Sequence, residues 1–273
     1  MPMVTVTTDP VPAVAASLAE IRRTAPLVHN ITNYVVMNNT ANALLALGAS
    51  PAMVHAADEV EEFVGISRAL VVNIGTLSSG WVVAMRAAAE RARRIGVPWA
   101  LDPVGVGATT FRNTVAADLA GRGPAVIRGN ASEILALAGT GARTKGVDST
   151  HGTSTAVDAA RELARRSGAA VAVTGATDYV TDGTRVAVLN NGHPMMARVT
   201  GMGCTATAVI GAFLAVERDP FRAAIQGLTV LGVAGEIAAE RSPGPGSLQV
   251  HLLDTLHLLD EATIAERARI ELA

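Results

Sequence analysis

The sequence predicts an α/β fold, a three-layer αβα sandwich in which helices cover both faces of a mostly parallel central sheet. Strand and helix signatures alternate along nearly the whole chain, the pattern of successive βα units. Hydrophobic residues make up 49% and charged residues 17% of the 273 residues, which supplies the apolar surface that a sheet buried on both faces needs. The polar residues with the most chemistry, Asp102, Arg128, Thr174 and Gly201 with its turn, fall at or just past the ends of predicted strands, where open α/β sheets bind ligands. No repeat, low-complexity tract or long linker interrupts the chain, so residues 1–273 are expected to form a single domain.

Each element has its own signal. Val14, Leu18 and Ile21 recur at helical spacing between Val11 and Arg23, ahead of Pro26. Leu27-Val28 reads as a short strand, His29 to Asn33 as a polar segment after it, and Tyr34 to Leu47 as a helix closed by Gly48. A second short strand near Pro51 to Val54 precedes the acidic residues Asp58, Glu59, Glu61 and Glu62, the solvated start of a helix. Ala69 to Ile74 is a buried strand, Trp81 to Ile95 a helix, and Val97 to Leu101 a strand that delivers Asp102. A helix near Thr110 to Ala120, a strand at Ala125 to Ile127 and a further helix entered through Glu133 continue the alternation. After a small-residue loop, Gly139 to Thr153, come a helix from Ala156 to Arg166 and the strand Ala169 to Thr174. Asp182-Gly183 between two short apolar runs is a hairpin signal, so antiparallel pairing enters late. Met195 to Val199 reads as a short strand feeding Thr200-Gly-Met-Gly-Cys204, and a helix follows from Cys204 to Val216. Phe221 to Arg241 and Leu248 to the C-terminus are expected to be helical.

Composition excludes several classes of function. A net charge of −2 and 3% aromatic residues leave no footprint for nucleic acid. One cysteine cannot form an internal disulfide, which fits a reducing cytoplasm. No uninterrupted apolar run reaches the roughly 18 residues of a membrane span, so no membrane partner is expected.

The candidate chemistry sits on the predicted strand ends and turns. Asp102 and Glu133 together can hold a magnesium ion through waters and substrate phosphates, although Asn130 and Glu133 also have the Asn-x-x-Glu spacing of a capping box and Asp102 can simply start a turn. Arg128 and Thr174 can contact phosphates or be ordinary strand-end residues. The Gly201-x-Gly203-Cys204 turn opens a helix, where unpaired N–H groups and the helix dipole favour an anion, yet many glycine turns bind nothing. Cys204, at that helix start, is expected to have a lowered pKa unless it is only a small buried hydrophobe. No G-x-x-x-x-G-K-[ST] loop is present, and Lys145 is the sole lysine. The first βα turn also lacks the dinucleotide fingerprint.

His29-Asn-Ile-Thr-Asn33, Asp102-Pro-Val-Gly-Val-Gly-Ala-Thr109, Arg128-Gly-Asn-Ala-Ser-Glu133, Lys145-Gly-Val-Asp148 and Thr200-Gly-Met-Gly-Cys204, in this order, resemble the hydroxyethylthiazole kinases. The likeness runs from about Pro26 to Val250. It implies a ribokinase-like fold and transfer of the γ-phosphate of ATP to the primary alcohol of 4-methyl-5-(2-hydroxyethyl)thiazole, a salvage step towards thiamine. It also implies a homotrimer with thiazole sites at subunit interfaces. By matching motif, Arg128 and Thr174 are implied as ATP contacts, and Met53, Gly201 and Asn30 as thiazole contacts. Asp102 and Glu133 are implied near Mg2+, the Gly201 to Gly203 turn as the anion hole, and Cys204 as an acceptor of the alcohol proton. Related kinases usually carry aspartate at the last position. Competing expectations are another small-alcohol kinase, such as a hydroxymethylpyrimidine kinase, or a nucleotide-binding protein without activity.

Overall fold

The computed structural model describes residues 10–139 and 151–273; the expected Lys145 to Asp148 motif and most of the predicted loop around it lie outside the described residues. Strands β1 (Leu27–Ile31), β2 (Ser50–Ala52), β3 (Ala69–Asn73), β4 (Trp99–Asp102), β5 (Val126–Asn130) and β6 (Ala170–Thr174) form the parallel part of one sheet, in the order β2-β1-β3-β4-β5-β6. Strands β7 (Asp178–Thr181), β8 (Val186–Leu189) and β9 (Ile270–Leu272) continue it antiparallel. The expected Asp182-Gly183 hairpin joins β7 and β8.

Helices cover both faces. On one lie α1 (Val11–Thr24), α2 (Met37–Leu47), α8 (Met202–Leu214), α9 (Pro220–Glu240), α10 (Pro245–Leu258) and α11 (Glu261–Arg267); on the other lie α3 (Val60–Ile66), α4 (Ser79–Ile95), α5 (Thr110–Ala120), α6 (Ala131–Ala138) and α7 (His151–Ser167). Two hydrophobic cores result, one per face. Strand residues divide between them by alternation: Val71, Ala100 and Val126 pack with Phe213 and Leu228, while Leu70, Leu101 and Ile127 pack with Met85 and Leu119. Burying each such large side chain contributes about 1.5–3 kcal/mol.

Several elements differ from the sequence reading. His29, Asn30 and Ile31 belong to β1, because pairing with Leu70, Val71 and Val72 extends the strand, and α2 starts only at Met37. Likewise β5 runs on through Arg128 to Asn130, held by β6 from Val126↔Ala170 to Asn130↔Thr174. The segment Pro194–Arg198 is a 3-10 helix rather than a strand. Proline at its first position, a cap from His193, and Met, Ala and Arg in place of β-branched residues all favour that outcome. The C-terminus leaves its helix at Leu258 and ends as β9, whose pairing with β8 occupies backbone groups that would otherwise form an open edge. Helix α9 is long and apolar enough to cross a membrane by length and composition, but 83% of its most apolar window is buried within the protein, so it is a core helix.

Candidate functional site

Sheet alternation selects the face on which the site is built. Asn73 follows Val71, Asp102 follows Ala100, Arg128 follows Val126 and Thr174 follows Ala172, each two residues on and therefore on the same face of the sheet. Asn73, Asp102 and Thr174 are the last residues of their strands, and Arg128 lies two residues before the end of β5. The strand order reverses between β1 and β3, so the topological switch point lies beside Asn73, one strand from Asp102.

Asp102 is fully buried. It stands directly across from Asn73 in the β3–β4 register, and its Oδ2 accepts hydrogen bonds from Asn73 Nδ2 at 2.8 Å and Thr207 Oγ1 at 2.9 Å. Its Oδ1 is buried without a partner, with Arg128 Nη1 4.0 Å away. Burial pushes the carboxyl up to about 7; the Glu133 charge adds to this, and Arg128, Thr207 and Asn73 oppose it. This carboxyl is therefore poised near neutrality, unlike an exposed turn aspartate.

Glu133 serves the expected capping box and more. Its Oε2 accepts from Asn130 N at 2.9 Å while Asn130 Oδ1 accepts from Glu133 N at 2.9 Å. Its Oε1 accepts from Gly105 N at 2.9 Å, which ties α6 to the loop after β4. Arg112 joins this loop to the one after β3, donating to the carbonyls of Val104 and of Ile74 and Gly75 at 2.6–2.7 Å. Among the described residues no group of three or more His, Cys, Asp or Glu side chains is placed to hold a metal. The free Asp102 Oδ1 nevertheless suits a hard cation whose other ligands are phosphates and water, and Glu133, its oxygens already engaged, suits a water-bridged contact.

Helix α8 opens without a side-chain cap and with no acidic residue in its first turn. Its N-cap, Gly201, has φ 78°, and a Cβ there would collide with Val36. A Cβ at Gly203 would collide with the Arg128 guanidinium, so this glycine lets the cation sit against the helix start. First-turn amides and an arginine thus converge on one place. Cys204 departs from the sequence reading. Burial, followed by the negative charge of Asp102, pushes its thiol up to about 11 against the weaker effects of Asn73, Asn33 and Arg128. The net shift runs opposite to the lowering expected at a helix N-terminus, and the cysteine is a thiol at neutral pH.

A cavity of about 580 Å3 adjoins these groups, between β5, β6 and helices α8 and α9. Arg128, Thr174 and Gly203 line one wall, and Met196, Met202 and Leu228 are among the apolar residues of the rest. Arg128 Nη2 donates to Thr174 Oγ1. Asp178 also borders the cavity, and burial raises its carboxyl to about 6. A second cavity, of about 380 Å3, lies near Glu20, Arg68 and Glu217 and contains none of the candidate residues.

The structure thus brings together Asp102, Glu133, Arg128, Thr174, Gly201, Gly203 and Cys204. Met53 stands half-buried just past β2, five strands from Thr174 in the sheet order, roughly 24 Å by strand spacing. Asn30 is buried on β1, its Nδ2 donating to Val28 O and its Oδ1 unpartnered. Asn73, Thr207 and Arg112 escaped the sequence reading. For Asn73 a signal existed, a lone amide closing the apolar strand Ala69–Asn73; for the other two only the folded chain supplies one.

The Hydroxyethylthiazole kinase family profile matches residues 18–262. A Granulibacter bethesdensis protein named hydroxyethylthiazole kinase is 59% identical over 252 residues, 92% of this chain and 92% of its own length. One of the same name from Syntrophus aciditrophicus is 56% identical over 257 residues, 93% of this chain and 95% of its own. Among solved structures, a hydroxyethylthiazole kinase protein from Pyrococcus horikoshii OT3 matches with a TM-score of 0.90 and 45% identity, over 96% of this chain and 99% of that one. The pyridoxal kinase of Staphylococcus aureus, solved with AMP-PCP and pyridoxal, matches at a TM-score of 0.59 and 16% identity over 77% of this chain and 87% of that one, a likeness of fold alone.

Proposed function

The chain belongs to the hydroxyethylthiazole kinase family, whose members phosphorylate the primary alcohol of hydroxyethylthiazole with ATP in thiamine salvage, and from that premise we propose how its residues divide the reaction. Arg128 and Thr174 hold the nucleotide phosphates at the mouth of the 580 Å3 cavity, whose apolar wall takes the less polar part of ATP. The N–H groups of the α8 first turn receive the charged oxygens of the transferring phosphoryl group, already aligned and needing no reorganisation. Asp102, through its free Oδ1, and Glu133, through water, would hold magnesium, which when bound neutralises phosphate charge. Met53 offers a polarizable thioether to the thiazole ring, with Asn30 on the neighbouring strand and Gly201 at the alcohol end. In the loose transition state of phosphoryl transfer the alcohol needs little early deprotonation, so Cys204, which carries its own proton at neutral pH, does not take the alcohol proton at the outset and assists at the acceptor side without being indispensable.

The single observation that carries this reading is the convergence of Asp102, Arg128, Thr174 and an uncapped helix start on one end of the sheet. Its test is ADP release with ATP and magnesium on the thiazole alcohol and on hydroxymethylpyrimidine side by side. Higher efficiency is expected on the thiazole; higher efficiency on the pyrimidine, or ATP binding without turnover, overturns the reading.

The reading also includes one kinase unit spanning the chain, a cytoplasmic location in keeping with a lone thiol, and a homotrimer. Tyr34 and Val35, beside the acceptor end, are 65% and 64% exposed, an apolar surface suited to a neighbouring subunit near Met53. A monomeric mass in solution would remove the trimer.

A further inference from the structure

We propose that Asn33 and Asn73 form a positioning device that sets the Cys204 sulfur relative to Asp102, and that it depends on the missing side chain at Gly75. The proposal rests on the reading in which Cys204 serves the acceptor alcohol. Neither amide is free to turn over. Asn33 Oδ1 accepts from Val35 N at 3.1 Å, which directs its Nδ2 to Asn73 Oδ1 at 2.9 Å and to Cys204 Sγ at 3.4 Å. Asn73 Oδ1 accepts a second bond from Gly75 N at 2.9 Å, so its Nδ2 must face Asp102 Oδ2, at 2.8 Å. Each orientation fixes the next, and the chain runs from the loop after β1 to the acidic residue on β4. An aspartate at position 73 would set a second carboxylate against Asp102, so only the amide serves.

Two further contacts close the device. Thr207 takes the other position on Asp102 Oδ2, one turn along α8 from Cys204, so sulfur and carboxylate are referenced to the same helix. Gly75 is pinned through its carbonyl by Arg112 Nη2 at 2.7 Å, and a Cβ there would stand 2.5 Å from Asn33 Nδ2 and 2.7 Å from its Cγ. Any side chain at residue 75 therefore pushes Asn33 off the sulfur. Gly75 does not lie in the left-handed region, so alanine does not conflict with its φ, and because the methyl would also stand 2.8 Å from Asn33 Cβ it displaces the whole Asn33 side chain.

A double-mutant cycle distinguishes positioning from mere structure. Asn33→Ala leaves Asn73 Oδ1 its bond from Gly75 N, so the fold keeps its partner there. Asn33→Ala and Gly75→Ala are each expected to lower kcat roughly 10-fold, a misplacement effect, with KM for ATP unchanged. In a Cys204→Ala background neither should lower kcat further. Losses that multiply in that background, or wild-type turnover in both single variants, overturn the positioning while leaving the proposed function standing. Wild-type turnover of Cys204→Ala overturns the thiol's part in that function and this proposal with it. Gly75→Ala keeps the test decisive if Asn33→Ala fails to fold, because it removes no polar group.

Discussion

Two helices begin within the site, α6 at Ala131 and α8 at Met202, and their first turns are completed in opposite ways. The start of α6 is closed: Asn130 and Glu133 satisfy each other's backbone amides in a capping box. The start of α8 has a left-handed glycine for a cap, no side-chain acceptor and no acidic residue. Arg128 packs against it at Gly203, where a Cβ would collide with the guanidinium. A closed start positions a side chain, here Glu133; an open one leaves its amides without a side-chain acceptor. The same backbone feature is satisfied within the chain in one helix and left open in the other, and the difference lies in a handful of side chains.

The sharpest way to break this contrast is to fill the open start. Gly203→Ala would drive the new methyl into the Arg128 guanidinium, and kcat/KM for ATP is expected to fall on the order of 100-fold with a thermal midpoint near that of the wild type. Steady-state kinetics with varied ATP check it, and unchanged efficiency would detach this turn from the phosphates.

Asp102, set between the two starts, gives the next effect. Folding raises its carboxyl from 3.8 to about 7, so between those values the folded chain holds a proton that the unfolded chain has lost. The stability contributed is full below about pH 4 and is lost as pH rises through 7. Urea midpoints measured from pH 4 to 8 should therefore decline more steeply for the wild type than for Asp102→Asn. Parallel profiles would contradict the buried, unpaired Oδ1.

The smallest effect comes from opening the closed start. Asn130→Ala removes the cap acceptor and is expected to cost about 1 kcal/mol of stability, with kcat of the folded protein close to that of the wild type. Denaturant unfolding and turnover on the same sample separate the two, and a large loss of turnover at full stability would make α6 as functional as α8.

Much of the fold and part of the site were legible in the chain. Gly48 as a helix stop, Asp182-Gly183 as a hairpin and the Asn130 to Glu133 box are local patterns, and the structure reproduces each. The strand-end positions of Asp102 and Thr174 were also readable, because period-2 alternation and the C-terminal-end rule need only the strand boundaries. Met195 to Val199 misled because its apolar content was read without its propensities: Pro194 and the Met-Met-Ala run make a 3-10 turn. The strand Ile270–Leu272 was invisible, since it exists only through pairing with β8.

The sequence by itself determined the alternation of elements, the glycines of the late turn and the family. It did so because helix and strand periods, caps and turns depend on neighbours a few residues away. Only the tertiary structure decided what those residues became chemically. Asn73 meets Asp102 through a β3–β4 register spanning 29 residues of chain, and Thr207 reaches the same oxygen across 105. Burial and a carboxylate on another element push the Cys204 thiol up, against the weaker effects of Asn73, Asn33 and Arg128. Desolvation and charge act through space, and the space around a residue is set by the whole chain.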